Sequence, residues 1–113
     1  MTILDVESEE GRGLVRVGLR GELDLSTVAK VEEELRRIEE TAPPVVVLDL
    51  SKLTFLDSTG LRCVITASER ARESDRRLVI VRGPEAVQRV FSITGLDERL
   101  DIVDDAASLS SDT

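Results

Sequence analysis

The reactive side chains of this sequence gather in one short segment, Leu53-Thr54-Phe55-Leu56-Asp57-Ser58-Thr59-Gly60-Leu61. Asp57 offers a carboxylate. Ser58 and Thr59 offer hydroxyls that can cap a helix, accept a phosphoryl group or, given a base, attack an electrophile. The chain has no histidine, which excludes a Ser-His-Asp triad and histidine-based metal sites. No general base is visible for Ser58, so a hydrolase with Ser58 or Asp57 as nucleophile is poorly supported. An aspartic-protease-like Asp-Thr-Gly is out of register, because Ser58 separates Asp57 from Thr59-Gly60, and that chemistry needs a second carboxylate sharing the proton. The single cysteine, Cys63, cannot form an internal disulfide or a paired-cysteine zinc site. Next to an apolar helical stripe and with no flanking base, it reads as an inert thiol. Neither Gly-Lys-Ser/Thr nor Gly-x-Gly-x-x-Gly occurs, so both phosphate-cradling loops are missing. These exclusions predict a protein that is not an enzyme and uses no cofactor or metal.

The elements that must hold this segment follow from periodicity. In residues 14–20, Val15, Val17 and Leu19 alternate with Arg16, Gly18 and Arg20, the period of a half-buried strand. Residues 3–6 predict a shorter strand, and the polar stretch 7–13, with two glycines, closes a hairpin between the two. Gly21-Glu22-Leu23-Asp24 reads as a turn before a helix. In that helix Val28, Val31, Leu35 and Ile38 form the apolar stripe, and Pro43-Pro44 ends it. Residues 45–50 are nearly all apolar, as in a central strand covered on both faces. After a short connection, Leu61, Val64, Ile65, Ser68 and Ala71 mark a second helix, with Ser58 near its N-cap. Residues 78–81 form another buried strand. Gly83-Pro84 opens a third helix that turns Val87, Val90 and Phe91 inward, and Gly95 ends it. Residues 100–103 make a last short strand, followed by a polar segment with a possible helical turn. Strand and helix alternate from residue 14 onward, which predicts an α/β fold: a mixed, mostly parallel sheet of four to five strands with helices packed on it. The candidate segment then lies between a buried strand and a helix, at the C-terminal edge of the parallel strands, where such folds place functional loops. An ordinary helix cap and a functional hydroxyl are both compatible with Ser58 at that position.

The chain of 113 residues has the length of one domain, taken here as residues 1–113. It holds two aromatic residues, Phe55 and Phe91, so the core must be aliphatic. A formal charge of −8 repels polyanions, and with few rings to stack on bases this argues against direct nucleic-acid binding. The basic run Arg70-Ala-Arg72-Glu-Ser-Asp-Arg76-Arg77 falls where the second helix ends, a position at which cations complement the helix dipole. No signal peptide and no membrane-length apolar run is visible, so a cytoplasmic location and no membrane association are expected.

The residues Val46-Val47-Leu48-Asp49-Leu50-Ser51-Lys52-Leu53-Thr54-Phe55-Leu56-Asp57-Ser58-Thr59-Gly60-Leu61 resemble the signature of STAS domains, in particular bacterial anti-sigma factor antagonists. Gly21-Glu22-Leu23-Asp24 is similar to the family's motif before its first helix, and Val90-Phe91-Ser92-Ile93-Thr94-Gly95-Leu96 to its motif at the end of the third. The resemblance spans almost the whole chain and implies a single STAS domain with a partner-switching role. An unphosphorylated antagonist captures an anti-sigma factor and frees the sigma factor. The anti-sigma factor is a serine kinase that phosphorylates the antagonist and is thereby released, and a PP2C-type phosphatase resets the switch. The family's phosphoserine matches Ser58, with Thr59 the rival acceptor, and its flanking acidic residues match Asp57 and Asp24. The implied switch loop therefore comprises Asp24, Asp57, Ser58, Thr59 and Gly60. Arg62-Cys63 departs from the small or aliphatic residues that many members carry there. An accessory or scaffold role, in a signalling assembly or beside a lipid-transport ATPase, is the alternative the same resemblance allows.

Overall fold

The alternation of residues 14–19 and the apolar run 45–50 become neighbouring strands at the centre of a five-stranded sheet. The structure is a computed structural model that describes residues 3–105. In chain order the elements are β1 (Leu4–Glu10), β2 (Leu14–Leu23), α1 (Val28–Glu39), β3 (Val45–Leu56), α2 (Ser58–Glu73), β4 (Arg77–Val81), α3 (Glu85–Thr94), a 3-10 turn (Leu96–Glu98) and β5 (Ile102–Val103). The strand order is β1-β2-β3-β4-β5. β1 runs antiparallel to β2, and every other pair is parallel. Each parallel strand lies beside its predecessor on the same side, so right-handed crossovers place α1, α2 and α3 on one face of the sheet.

The core between that face and the helices is aliphatic. Val17, Leu19 and Leu23 from β2 meet Leu48, Leu50 and Leu53 from β3, with Val31 and Leu35 of α1 and Val64 of α2 above them. Phe91 of α3 is fully buried in the same cluster, whereas Phe55, the other aromatic side chain, is 47% exposed. On the opposite face of the central strands Val47, Val79 and Val81 are buried too.

Several predicted boundaries move. The hairpin is longer than the alternation suggested: β1 continues through Glu10, and only residues 11–13 form the turn. Polar side chains at 7–10 lie along an edge strand, where water satisfies them without ending the ladder. β2 runs on through Gly21, Glu22 and Leu23, so the predicted turn there is strand. β3 extends to Leu56 instead of stopping at residue 50. The ladder skips a residue of β3 between the Asp49–Gly18 and Lys52–Arg20 pairs, and another before Phe55–Glu22. Each bulge adds a residue, so Leu50, Leu53 and Leu56 all turn inward at a spacing of three. That spacing hides the strand from a search for period two. α3 ends as expected at Gly95, which takes the left-handed conformation with φ 74°. The predicted C-terminal helical turn lies outside the described residues.

Candidate functional site

The overhang of β3 beyond β4 delivers Asp57 to the rim of the sheet. Asp57 sits in an extended conformation and is the N-cap of α2, its Oδ1 accepting the Gly60 amide at 2.9 Å. Ser58 lies next to this cap, as expected, and is the first residue of the helix, while the capping residue itself is Asp57. The physical reason is the carboxylate: an aspartate in extended backbone reaches the amide three residues on, leaving the serine hydroxyl free. The helix also starts earlier than its apolar stripe, because its first turn is polar on the outside.

Asp57 binds more than its own helix. Its amide donates to the Leu23 carbonyl at 3.3 Å, and its Oδ2 accepts the Leu25 amide at 3.2 Å. One residue therefore ties together the end of β2, the loop into α1 and the start of α2. The loop has its own framework. Asp24 Oδ1 accepts the Ser26 amide at 2.9 Å and the Ser26 hydroxyl at 2.7 Å. Thr27 Oγ1 accepts the Asp24 amide at 3.0 Å and donates to the Glu22 carbonyl at 2.8 Å. These closures are side-chain-to-backbone turns of the kind Asp and Thr favour.

Gly60 marks where α2 touches the sheet. It is buried, and a Cβ there would stand 2.7 Å from the Leu23 carbonyl oxygen and 2.7 Å from Leu56 Cδ1. Glycine is the residue that allows this approach. It brings the first turn of α2 down onto the end of β2, beside the Asp24 loop. Ser58 is exposed and Thr59 half-buried, so the two neighbouring hydroxyls differ in access. All five residues of the implied switch loop meet at this rim: Asp24 on the loop, Asp57 as the tie, Ser58 and Thr59 on the first helical turn, and Gly60 beneath them.

Sequence reasoning missed two exposed apolar side chains on the segments that meet at this rim. Leu25 is 75% exposed, and its amide is the one held by Asp57. Phe55 lies two residues before Asp57 and pairs with Glu22 across the ladder. Large apolar groups left in water next to a polar loop are typical of a surface that meets another protein. The usable signal was Phe55 itself, an aromatic residue in a chain that spends only two.

Other candidates recede. Cys63 is buried, and burial, assisted by the Glu32 carboxylate, pushes its thiol up to about 11; it is a poor nucleophile at neutral pH. In the basic run, Arg70 pairs with Glu39 of α1 at 2.9 Å, and Arg70 and Arg72 occupy the last turn of α2. No cluster of three or more His, Cys, Asp or Glu side chains able to hold a metal ion occurs among the described residues. No helix among them is long and apolar enough to cross a membrane.

The sequence matches the STAS domain over residues 5–109. The chain belongs to the STAS domain family. Among curated STAS relatives, the anti-sigma-F factor antagonist RsfB of Mycobacterium tuberculosis is 32% identical over 95 residues, 84% of this chain and 77% of RsfB. An anti-sigma-B factor antagonist of Staphylococcus epidermidis is 29% identical over 99 residues, 88% of this chain and 92% of that protein. The crystal structure of an anti-sigma factor antagonist from Mycobacterium paratuberculosis superimposes with a TM-score of 0.85 at 24% identity, covering 96% of this chain and 92% of the other. The sheet order and the helices on one face are therefore those of the STAS fold.

Proposed function

We propose that this STAS domain is an anti-sigma factor antagonist controlled by phosphorylation of Ser58. The observation that carries the reading is an exposed serine hydroxyl on the first turn of α2, with exposed Leu25, whose amide Asp57 holds, and exposed Phe55, three residues before that serine in the chain, in a family whose relatives are anti-sigma factor antagonists. The unphosphorylated rim binds a kinase-type anti-sigma factor, with Leu25 and Phe55 as apolar contacts and the Asp24 loop and first turn of α2 as its polar frame. The kinase transfers the γ-phosphoryl group of ATP to Ser58 Oγ. ADP leaves, the hydroxyl proton passes to solvent, and the complex comes apart. A PP2C-type phosphatase restores the hydroxyl by hydrolysis. These steps place the protein in the cytoplasm, where sigma factors meet their polymerase, and give it no catalytic part of its own.

The energetics ask little of the fold. Phosphorylation adds a charge of about −1.5 to −2 and three acceptor oxygens at one exposed point. A hundredfold loss of affinity corresponds to about 2.8 kcal/mol. Two like charges ~4 Å apart in an intermediate dielectric repel by about 4 kcal/mol. One phosphate facing a partner carboxylate, or filling space that a hydroxyl leaves open, is sufficient without rearrangement of the domain. Thr59 is the less accessible neighbour, which favours Ser58 as acceptor.

The test is titration calorimetry against a cognate kinase-type anti-sigma factor. Ser58→Ala should bind as the parent does and resist release by ATP, whereas Ser58→Asp should bind at least tenfold more weakly. Equal affinities for the two variants would remove Ser58 from the switch. Mass spectrometry after incubation with kinase and ATP should find the phosphate on Ser58 and none on Thr59.

A further inference from the structure

The outward stripe of α2 starts at Ser58 and continues through Arg62 and Thr66, all three exposed. Residues four apart on a helix are surface neighbours, with Cβ atoms about 5–6 Å from one another. Arg62 is solvent-facing and has no hydrogen-bond or ion-pair partner among the described residues. Two turns further on, Arg70 is fully engaged, with its guanidinium on both carboxylate oxygens of Glu39. Arg70 thus cements α1 to α2, while Arg62 stands free one turn from the candidate acceptor.

We infer that Arg62 is the intramolecular counter-ion of phosphorylated Ser58. This rests on Ser58 being the acceptor. The order is the favourable one for a helix, with the anion N-terminal to the cation at a spacing of four. A guanidinium also matches two phosphate oxygens at once, which a lysine ammonium does not. Two carboxylates share the rim with Ser58: Asp57, which caps the helix, and Asp24, on the adjoining loop. Both repel the phosphate; both oxygens of Asp57 accept backbone amides, and Asp24 Oδ1 accepts the Ser26 amide and hydroxyl. Arg62 is the cation that offsets them. Phosphorylation then alters two features of the rim together: it adds a dianion beside Asp57 and withdraws a free guanidinium from the surface. A partner shaped to the unphosphorylated rim meets new negative charge and loses a positive contact in the same event.

The experiment uses the full chain with phosphoserine installed at position 58 during translation, so that no kinase is needed. Phosphorus NMR follows the second ionisation of the phosphate in the parent, Arg62→Ala and Arg62→Lys chains. Removing the cation disfavours the dianion, so Arg62→Ala should move the midpoint up by about 0.4 pH unit. Arg62→Lys should recover a smaller part of that difference, and 1 M salt should shrink it. Thermal melting supplies the second readout. Arg62→Ala should leave the unphosphorylated chain unchanged and lower the melting point of the phosphorylated chain by roughly 2 °C. Identical midpoints for the parent and Arg62→Ala would overturn the pairing, as would an equal loss of melting temperature in both phosphorylation states. Because the phosphate is installed, either result counts against Arg62 alone. Failure of the kinase to modify Ser58 would instead count against the proposed function and leave the titration as it stands.

Discussion

Asp57 shows how much one carboxylate can organise when both of its oxygens and its amide are used. Oδ1 caps α2 through Gly60, Oδ2 holds the Leu25 amide, and the amide is bonded to Leu23. The two oxygens can be separated by substitution. Asn is as good a helix cap as Asp, so Asp57→Asn should keep the Gly60 bond. Its amide group, however, would then face the Leu25 N–H, donor against donor. The expected result is near-parental melting with faster hydrogen exchange at Leu25. Asp57→Ala loses both contacts and should cost about 1–2 kcal/mol, a fall of several degrees in melting temperature. Unchanged Leu25 exchange in Asp57→Asn would mean that the tether does not hold the loop. The same residue explains why Ser58 is available: a hydroxyl that was capping the helix would be turned inward and partly consumed.

At the scale of elements, the rim depends on the overhang of β3 and the close seat of α2. The two bulges lengthen β3 while keeping Leu50, Leu53 and Leu56 in the core, so the strand reaches past β4 and presents Asp57 at its end. α2 then folds back over the end of β2, and Gly60 sets how near it comes. In Gly60→Ala the new methyl would meet a backbone oxygen and a buried leucine at 2.7 Å, and the backbone cannot yield as a flexible side chain would. Overpacking of this kind costs typically 1–3 kcal/mol. The expected outcome is a lower urea midpoint, together with shifted amide resonances for Asp57, Ser58 and Leu25. If the midpoint falls and those resonances stay in place, Gly60 serves stability without positioning the switch residues.

Over the whole molecule, ion pairs fasten the helices and strands around an aliphatic core. On the face of the sheet opposite α1, α2 and α3, Arg16 of β2 bonds Asp49 of β3 at 2.6 Å and 3.1 Å. Burial alone would raise the Asp49 carboxyl, but hydrogen bonds from Ser51 and the Arg16 guanidinium outweigh it and hold the group below the usual carboxylate range. On the helix side, Glu34 of α1 accepts from Arg37 and from Ser8 of β1. Those contacts, with Arg37 the stronger, hold it down at about 2 against an ordinary 4.5. For both carboxylates the unfolded chain binds protons more readily than the folded one. Their stabilisation is complete above about pH 5 and is lost as the pH falls toward their folded values. Urea unfolding of the parent should therefore weaken progressively between pH 5 and pH 2, and Glu34→Gln should show a shallower decline over that window. Parallel curves for the two chains would show that the Glu34 contacts add nothing to stability. None of this titrates near neutrality, so the proposed switch at Ser58 is set by phosphate and not by physiological pH.

The order of amino acids alone dictates the alternation of strands and helices, because side-chain periodicity is a local property. It also singled out residues 53–61, since excluding histidine, metal and nucleotide chemistry left no other polar cluster at a strand end. The motif match then named Asp24, Asp57, Ser58, Thr59 and Gly60. What it could not supply was contact across distance. Asp24 and Asp57 lie 33 positions apart in the chain, and only the parallel pairing of β2 with β3 brings their segments to one rim. The bulges that carry β3 to Leu56 are set by register with β2, so a strand read from its continuous apolar run ends at residue 50. Which residue caps α2 is likewise tertiary: Asp57 and Ser58 are both good caps, and the choice falls to the one placed in extended backbone at the end of β3. Exposure of Leu25 and Phe55 is decided by where neighbouring elements stop, which no local pattern encodes. For the same reason the free guanidinium of Arg62 and the committed one of Arg70 look alike in the sequence and differ only once α1 is packed against α2.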